Sequence, residues 1–150
     1  MASTIDLQQM TFDSGWGGQG KKSPLFAAVL KAARRGVKVR VLLNDESVFD
    51  PGADESHGKN GPSVKIFNDQ AEKENLPLEA RIADVKAMKV DYIHNKGVLV
   101  DGKYTLISSI NWNANSVENN REAAALIQGS AIFAHYEALF EADWAASEDR

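Results

Sequence analysis

A histidine and a lysine two residues apart, His94 and Lys96, are the side chains of this sequence best suited to chemistry. They begin an apolar, β-forming run that extends to Val100, so on a strand both side chains point from the same face. An uncharged imidazole is a nucleophile, and a nearby ammonium group neutralises an anion. Side by side they suit a phosphate ester, with His94 attacking phosphorus and Lys96 holding the non-bridging oxygens.

Further polar residues follow where the neighbouring strands are expected to end. Asp101, Ser109, Asn111 and Glu122 all fall near such ends. Ligands of open α/β sheets collect at strand ends, where loops gather. His94 and Lys96 alone could be the polar rim of a half-buried strand. Because four further polar residues are expected near them, a functional site is the favoured interpretation.

The elements that must position this site begin with a predicted βαβ unit. Ile5–Phe12 is predicted as a strand, and Ser23 with Pro24 gives an N-cap and a proline at the first helical position. The helix runs to Arg35 before a glycine, and Val37–Leu43 follows as a second strand. A crossover of this kind makes the two strands parallel.

The remaining elements are shorter, and together they predict one α/β domain over residues 1–150, with a mixed sheet sandwiched between helices. In chain order they are an exposed loop at Asp45–Pro62, strands at Val64–Phe67 and Leu78–Val85, a hairpin of Ile93–Val100 and Tyr104–Ser108 turned by Asp101-Gly102, an irregular connection at Asn111–Asn120, a strand at Arg121–Ile127 and a helix at Ala131–Trp144. The apolar stripe predicted for this last helix comprises Ile132, His135, Tyr136, Leu139, Phe140 and Trp144.

Composition narrows the chemistry. Cysteine is absent, which excludes disulfides, thiolate catalysis and cysteine-bound metal, and the three histidines are too scattered to indicate a metal cluster. The net charge of -4 is unusual for a protein that binds nucleic acid through its overall field, so attraction to an anion must be local. The densest basic patch is either a solvated face or a nucleic-acid track. It comprises Lys31, Arg34, Arg35, Lys38 and Arg40.

Membrane and export signals are missing from the sequence as it stands. No apolar run approaches the length of a membrane helix, and the first nine residues lack the basic start and apolar core of a signal peptide. For the full-length protein, membrane association or secretion both stay open.

One set of residues resembles the signature motif of the phospholipase D superfamily and the pattern that flanks it. The set consists of His94-x-Lys96, Asp101, Ser108-Ser109, Asn111-Trp112 and Asn120-Arg121-Glu122. Several independent positions agree, over Tyr92–Ile127, and Ser23–Leu43 resembles the segment that usually precedes the motif. One position departs, since the family usually has glycine where this chain has Ser108.

The resemblance implies a phosphodiesterase or phosphatidyltransferase that works through a phosphohistidine and requires neither metal nor cofactor. His94 would be the nucleophile or the acid that protonates the leaving oxygen, and a partner histidine would take the other role. Lys96 and Asn111 would hold phosphate oxygens, with the hydroxyl of Ser109 adding a contact. Glu122 would accept a hydrogen bond from the far nitrogen of His94 and fix its tautomer.

Asp101 belongs to the motif, and the resemblance includes it among the catalytic residues. Seven residues beyond His94 on a continuous strand, however, it would face the opposite way. The Asp-Gly turn explains it without chemistry.

The implied mechanism needs two such motifs, and the chain has one. The second motif-bearing domain comes from a homodimer or from the missing part of a longer chain, of which this would be an excised half. Two other functions are open besides a phospholipase D-type enzyme acting on phospholipid. One is a homodimeric endonuclease acting on DNA, and the other is a catalytically silent half-domain that binds anions.

A phospholipid substrate is favoured over nucleic acid because the chain is acidic. Specificity is expected in the two long loops, Asp13–Gly20 and Asp45–Pro62, because rigid strands fix the chemistry and loops shape what approaches it. Trp16 and Phe49 are the predicted apolar rim for a lipid. The only lysines at or near these loops are Lys21, Lys22 and Lys59.

Overall fold

One six-stranded mixed sheet, in the order β3-β2-β1-β4-β5-β6, forms the centre of the molecule. The computed structural model describes residues 3–16, 21–49 and 58–147. The strands are β1 (Thr4–Gln9), β2 (Lys38–Leu43), β3 (Leu78–Ile82), β4 (Lys96–Val100), β5 (Tyr104–Ser108) and β6 (Ala124–Gln128). The α-helices are α1 (Pro24–Arg34), α2 (Asn60–Glu74), α3 (Val85–Met88), α4 (Ala114–Glu118) and α5 (Ser130–Ala146). The predicted α/β class, a mixed sheet between helices, is confirmed.

The predicted βαβ unit is confirmed. The hydroxyl of Ser23 accepts hydrogen bonds from the backbone N–H groups of Leu25 and Phe26, so it caps α1, and Pro24 occupies the first helical position. After the helix, Gly36 adopts a positive φ of 84°, which turns the chain into β2. β1 and β2 then pair in parallel over their full length.

The Asp-Gly hairpin is also confirmed, and it makes the second half of the sheet antiparallel. Asp101 and Gly102 have positive φ angles of 55° and 67°, and the N–H of Lys103 donates to the carbonyl of Val100 at 3.1 Å. The paired residues that flank the turn are Val100 and Tyr104. β4 runs antiparallel to both β1 and β5, and β5 runs antiparallel to β6.

Helices cover the two faces of the sheet, each with its own apolar cluster. α1 and α2 pack on one face, where Leu7, Phe26 and Phe67 are among the buried side chains. α3 and α5 pack on the other face with Leu42 and Phe140. No helix in the described ranges is long and apolar enough to cross a membrane.

The prediction of a strand at Val64–Phe67 is wrong, because these residues lie within α2. The buried residues of α2 are Asn60, Ser63, Phe67 and Ala71, which recur at helical spacing along one face. A short apolar run does not distinguish a strand from the buried face of a helix. The prediction of an exposed loop at Asp45–Pro62 is wrong at both of its ends, since Asp45 and Asn60 are buried, and residues 50–57 lie outside the described part.

The last helix is confirmed, but its buried face differs from the predicted stripe. Phe133, Phe140 and Trp144 are buried against the sheet, whereas Ile132 and Leu139 are exposed. Nearly every turn of α5 carries apolar residues, so its periodicity alone identifies no single face. The connection predicted as irregular at 111–120 contains the short helix α4, and the N-cap side chain of Asn113 accepts from the N–H of Ser116.

Candidate active site

The ends of several strands meet at one edge of the sheet, and most of the predicted site lies there. β4 is antiparallel to β1, so β4 begins where β1 ends. β5 ends and β6 begins at the same edge, because each is antiparallel to its neighbour. His94, Lys96, Ser109, Asn111 and Glu122 all lie at or just beyond these strand ends.

His94 lies just before β4, in a segment without regular structure, and its side chain is exposed. Its ring contacts that of Tyr92 edge to face, with 5.8 Å between the ring centroids. The residues on either side of the histidine are held firmly. On one side, the N–H of Ile93 donates to Oδ1 of the fully buried Asn44 at 2.7 Å.

On the other side of His94, a chain of polar side chains runs back to α5. Nδ2 of Asn95 donates to Oε1 of Gln8 at 2.6 Å, and Nε2 of Gln8 donates to Oδ2 of Asp143 at 2.8 Å. Burial raises the pKa of Asp143, and the bond from Gln8 opposes that shift. These contacts hold the residues on both sides of an imidazole that itself stays accessible.

Lys96 is the buried cation of the site, with 4% of its surface exposed. Its ammonium group donates to the backbone carbonyl of His94 at 2.6 Å and lies 3.6 Å from the sulfur of Met10. Burial lowers the pKa of Lys96, and the negative charge of Glu122 acts in the opposite direction. Its direct contacts among the described residues are uncharged, so the ammonium remains able to attract an anion.

Glu122 is held beside Ser109. The hydroxyl of Ser109 donates to Oε2 of Glu122, and Nδ2 of Asn120 donates to Oε1 at 3.0 Å. These two bonds, together with the charge of Lys96, hold the pKa of Glu122 below its usual range. The predicted hydrogen bond from His94 to Glu122 is not formed in the described part of the chain. The carboxylate acts electrostatically on Lys96 instead.

Asn111 and Ser108 complete the edge. The Oδ1 atom of Asn111 is buried and has no hydrogen-bond partner among the described residues. Next to it, Trp112 is fixed to the end of β1, since its N–H donates to the carbonyl of Thr11 at 3.0 Å. Ser108 stands opposite Lys96 in register and is not among the residues with positive φ, so its backbone makes no demand for glycine.

Asp101 lies at the opposite edge of the sheet. Its carboxylate accepts hydrogen bonds from the backbone N–H groups of Thr4 at 2.8 Å and Ser3 at 2.6 Å, and these bonds lower its pKa. At about 3.3 Å per residue, it is roughly 16 Å along β4 from Lys96. The structure therefore separates Asp101 from the other site residues and places it where it ties the hairpin to the start of β1.

The two residues predicted as an apolar rim have different environments. Trp16 is 6% exposed, so the prediction that it forms part of the rim is wrong. Phe49 is 51% exposed, and its ring contacts that of Tyr92, the neighbour of His94. The glycines and glutamine at 17–20 and most of the second loop, at 50–57, lie outside the described residues.

Sequence reasoning missed the residues that support His94. Asn44 follows the apolar strand β2 at the same edge as the site, so its position after a strand end was the signal available. Asn60, also fully buried, joins Asn44 to the end of β1: its Nδ2 donates to the carbonyls of Asn44 and Met10. No local pattern indicates Gln8, because its contact with Asn95 depends on the pairing of β1 with β4.

Comparison with known proteins identifies the family of this chain. The family model described as "Cardiolipin synthase, PLD-like domain" matches residues 2–144, so the chain belongs to the phospholipase D-like family. Cardiolipin synthase C of Escherichia coli is 34% identical over 114 residues, which are 72% of this chain and 22% of that protein. Mitochondrial cardiolipin hydrolase of Xenopus laevis is 27% identical over 123 residues, which are 81% of this chain and 50% of that protein.

A solved structure shares the fold. Nuc from Salmonella typhimurium, a phospholipase D family member, superposes with a TM-score of 0.70 at 17% identity, covering 99% of this chain and 82% of that one. By contrast, the chain spans half or less of the length of the two curated relatives.

Proposed function

We propose that this chain supplies one motif-bearing half of a phospholipase D-type active site that cleaves or transfers a phospholipid phosphodiester. The observation that carries the proposal is the arrangement of an accessible imidazole beside a buried ammonium. His94 is exposed and its two neighbours are held, and Lys96 is 4% exposed with uncharged direct contacts in the described ranges. A nucleophile next to a desolvated cation is the arrangement that phosphoryl transfer requires.

In the proposed reaction, His94 or its counterpart on the second motif attacks phosphorus and forms a phosphohistidine. The other histidine protonates the departing alcohol oxygen and then takes a proton from the incoming water or alcohol. That nucleophile attacks phosphorus, breaks the P–N bond and regenerates the imidazole. Lys96, Ser109 and Asn111 contact the non-bridging oxygens, and Glu122 favours the charged form of Lys96. No step is assigned to a metal ion.

The second motif is proposed to reach this site over the open side of the antiparallel strands. β6 is an edge strand with exposed apolar residues, including Leu126 with 71% exposure. The chain carries one histidine-lysine pair of this kind, and the stretch it shares with its curated relatives covers half or less of their length. A homodimer and a second domain of a longer chain would both complete the site.

A phospholipid is the substrate that these observations favour. The relatives are named for the synthesis or hydrolysis of cardiolipin. The basic patch that would have to bind nucleic acid is partly neutralised, since Arg34 pairs with Glu74 and Arg40 pairs with Asp6 and Glu141. Such pairing weakens a cationic track.

Turnover of a chromogenic phosphodiester in excess chelator, with the mass of the protein measured in the same buffer, tests this proposal. We expect turnover that needs no divalent metal, by a dimer or by the full-length protein. Dependence on added metal would contradict the mechanism. A monomeric, inactive full-length protein would indicate the silent half-domain, and cleavage of single-stranded DNA that falls steeply with salt, without turnover of liposomes, would indicate the endonuclease.

A further inference from the structure

Three rings stand in a row at the active-site edge. The rings of Phe49 and Tyr92 meet edge to face with 5.1 Å between centroids, and the rings of Tyr92 and His94 do so at 5.8 Å. Phe49 and Tyr92 are 51% and 42% exposed, respectively. Two large rings therefore face solvent directly beside the proposed nucleophile.

The backbone beneath these rings is anchored, so their exposure does not come from a loose segment. Val48, which precedes Phe49 in the chain, packs against the apolar cluster on the α5 side of the sheet. Ile93, the neighbour of Tyr92, is 4% exposed, and its N–H is held by Asn44. The chain buries the residues next to the rings and leaves the rings outside.

The charge around the rings distinguishes between two kinds of ligand. A nucleic-acid site would combine stacking rings with cations that follow the phosphates. Residues 84–95 contain two lysines and two aspartates, and the turn that ends at Phe49 adds Glu46. Val90, two residues before Tyr92, is a further exposed apolar side chain at 46%. In the part of this surface that the structure describes, exposed apolar side chains occur without an excess of cations, which suits the interfacial region of a lipid bilayer.

We propose that Phe49 and Tyr92 form an aromatic rim that inserts into a phospholipid surface and presents the scissile phosphodiester to His94. The inference rests on the proposed function, and it names the side chains that make lipid the preferred substrate. Rings that enter the interface remove apolar surface from water while the tyrosine hydroxyl stays near the headgroups. The phosphate then lies at the depth of the imidazole, next to the ammonium of Lys96.

The test compares Phe49→Ser with Leu139→Ser, a matched control with the same 51% exposure on α5. Co-flotation with phosphatidylglycerol-containing vesicles is measured first, because it needs no turnover. We expect Phe49→Ser to bind vesicles about tenfold more weakly than the wild type, and Leu139→Ser to bind as the wild type does. Flotation of Phe49→Ser at the wild-type level would overturn the proposal.

The second readout is the ratio of turnover on vesicles to turnover on a water-soluble chromogenic diester. We expect this ratio to fall about tenfold in Phe49→Ser. An unchanged ratio would contradict the proposed aromatic rim. If both activities fell equally and the oligomeric mass changed as well, the two rings would instead form a contact between copies of the chain. A full-length wild type without any diester turnover contradicts the proposed function, whereas the flotation result still tests the proposed aromatic rim.

Discussion

The parallel and antiparallel halves of the sheet differ in how completely they are covered. In the parallel half, helices pack on the strands so closely that Val41, Leu42 and Leu43 of β2 are fully buried. In the antiparallel half, four of the five residues of β6 are exposed. Most of the buried apolar strand residues belong to the covered half, and the open half carries most of the chemical groups. The residues that stabilise the fold and the residues of the candidate site therefore lie mainly in different halves of the sheet.

The largest expected effect is on stability, in the covered half. Phe67 is fully buried, and its ring contacts those of Phe12 and Phe26 at 5.2 and 4.5 Å. Phe67→Ala should lower the free energy of unfolding by about 3–5 kcal/mol, because it leaves a cavity. Leu126→Ala, in the open half, should change it by no more than about 0.5 kcal/mol. Denaturant unfolding of a monomeric preparation checks both, and similar losses would remove the contrast between the halves.

The next largest effect is expected on activity, in the open half. Lys96→Met keeps the length of the side chain and removes its charge. We expect the turnover of a phosphodiester to fall about 10²–10³-fold, with no decrease in Tm, since burial already lowers the pKa of the lysine. Lys103→Met, an exposed lysine at the opposite edge, is the control. A Tm loss that accounts for the lost activity would make Lys96 a structural residue.

Glu122→Gln sharpens the comparison by testing an electrostatic role. The charge of Glu122 raises the pKa of Lys96 against the effect of burial. Without that charge the pKa of Lys96 falls further, so the lysine loses its proton at a lower pH. The alkaline limb of the pH–rate profile should therefore shift to lower pH. Glu118→Gln, on exposed α4, should leave the profile in place, and a profile unchanged in Glu122→Gln would contradict this role.

The smallest effect is expected at Asp101, which belongs to the motif and lies away from the site. Asp101→Ala removes the acceptor for the N–H groups of Ser3 and Thr4. The Tm should fall by about 2–4 °C, while the rate per folded molecule changes by less than about twofold.

The pH dependence of this effect follows from the lowered pKa of Asp101. The stabilisation is fully present above the usual aspartate pKa and is lost as the pH falls through the lowered value. The Tm difference between wild type and variant should therefore shrink in strong acid. If Asp101→Ala lost as much activity as Lys96→Met, Asp101 would have to be counted among the catalytic residues.

Much of the fold was predictable because its signals are local. Ser23 with Pro24 starts a helix, and Asp101 with Gly102 turns a hairpin, through contacts within a few residues. The strand predicted at Val64–Phe67 failed because a four-residue apolar run lacks the length that identifies a helix. The burial of Trp16 was equally hidden, since it depends on what packs around the loop rather than on the loop itself.

The residues of the candidate site were more predictable from the sequence than the hydrogen bonds between them. The motif spacing identified the residues that gather at one edge, because β4 and β5 are short and joined by a tight turn, and β6 pairs with β5 so that it begins where β5 ends. The partner of Glu122 was not predictable, since it depends on how the chain turns between Asn111 and Asn120. The support of His94 by Asn44 and Gln8 depends on pairing between distant strands.

A pair of histidine variants tests directly whether His94 performs the chemistry of a phosphodiester site. His94→Ala and His135→Ala each remove one exposed imidazole, the first at the active-site edge and the second on α5. Turnover of a chromogenic phosphodiester is measured in excess chelator, with Tm as the control for folding. We expect His94→Ala to lose at least about 10³-fold in rate and His135→Ala to keep the wild-type rate. Activity retained in His94→Ala, or lost equally in both variants, would contradict this role of His94.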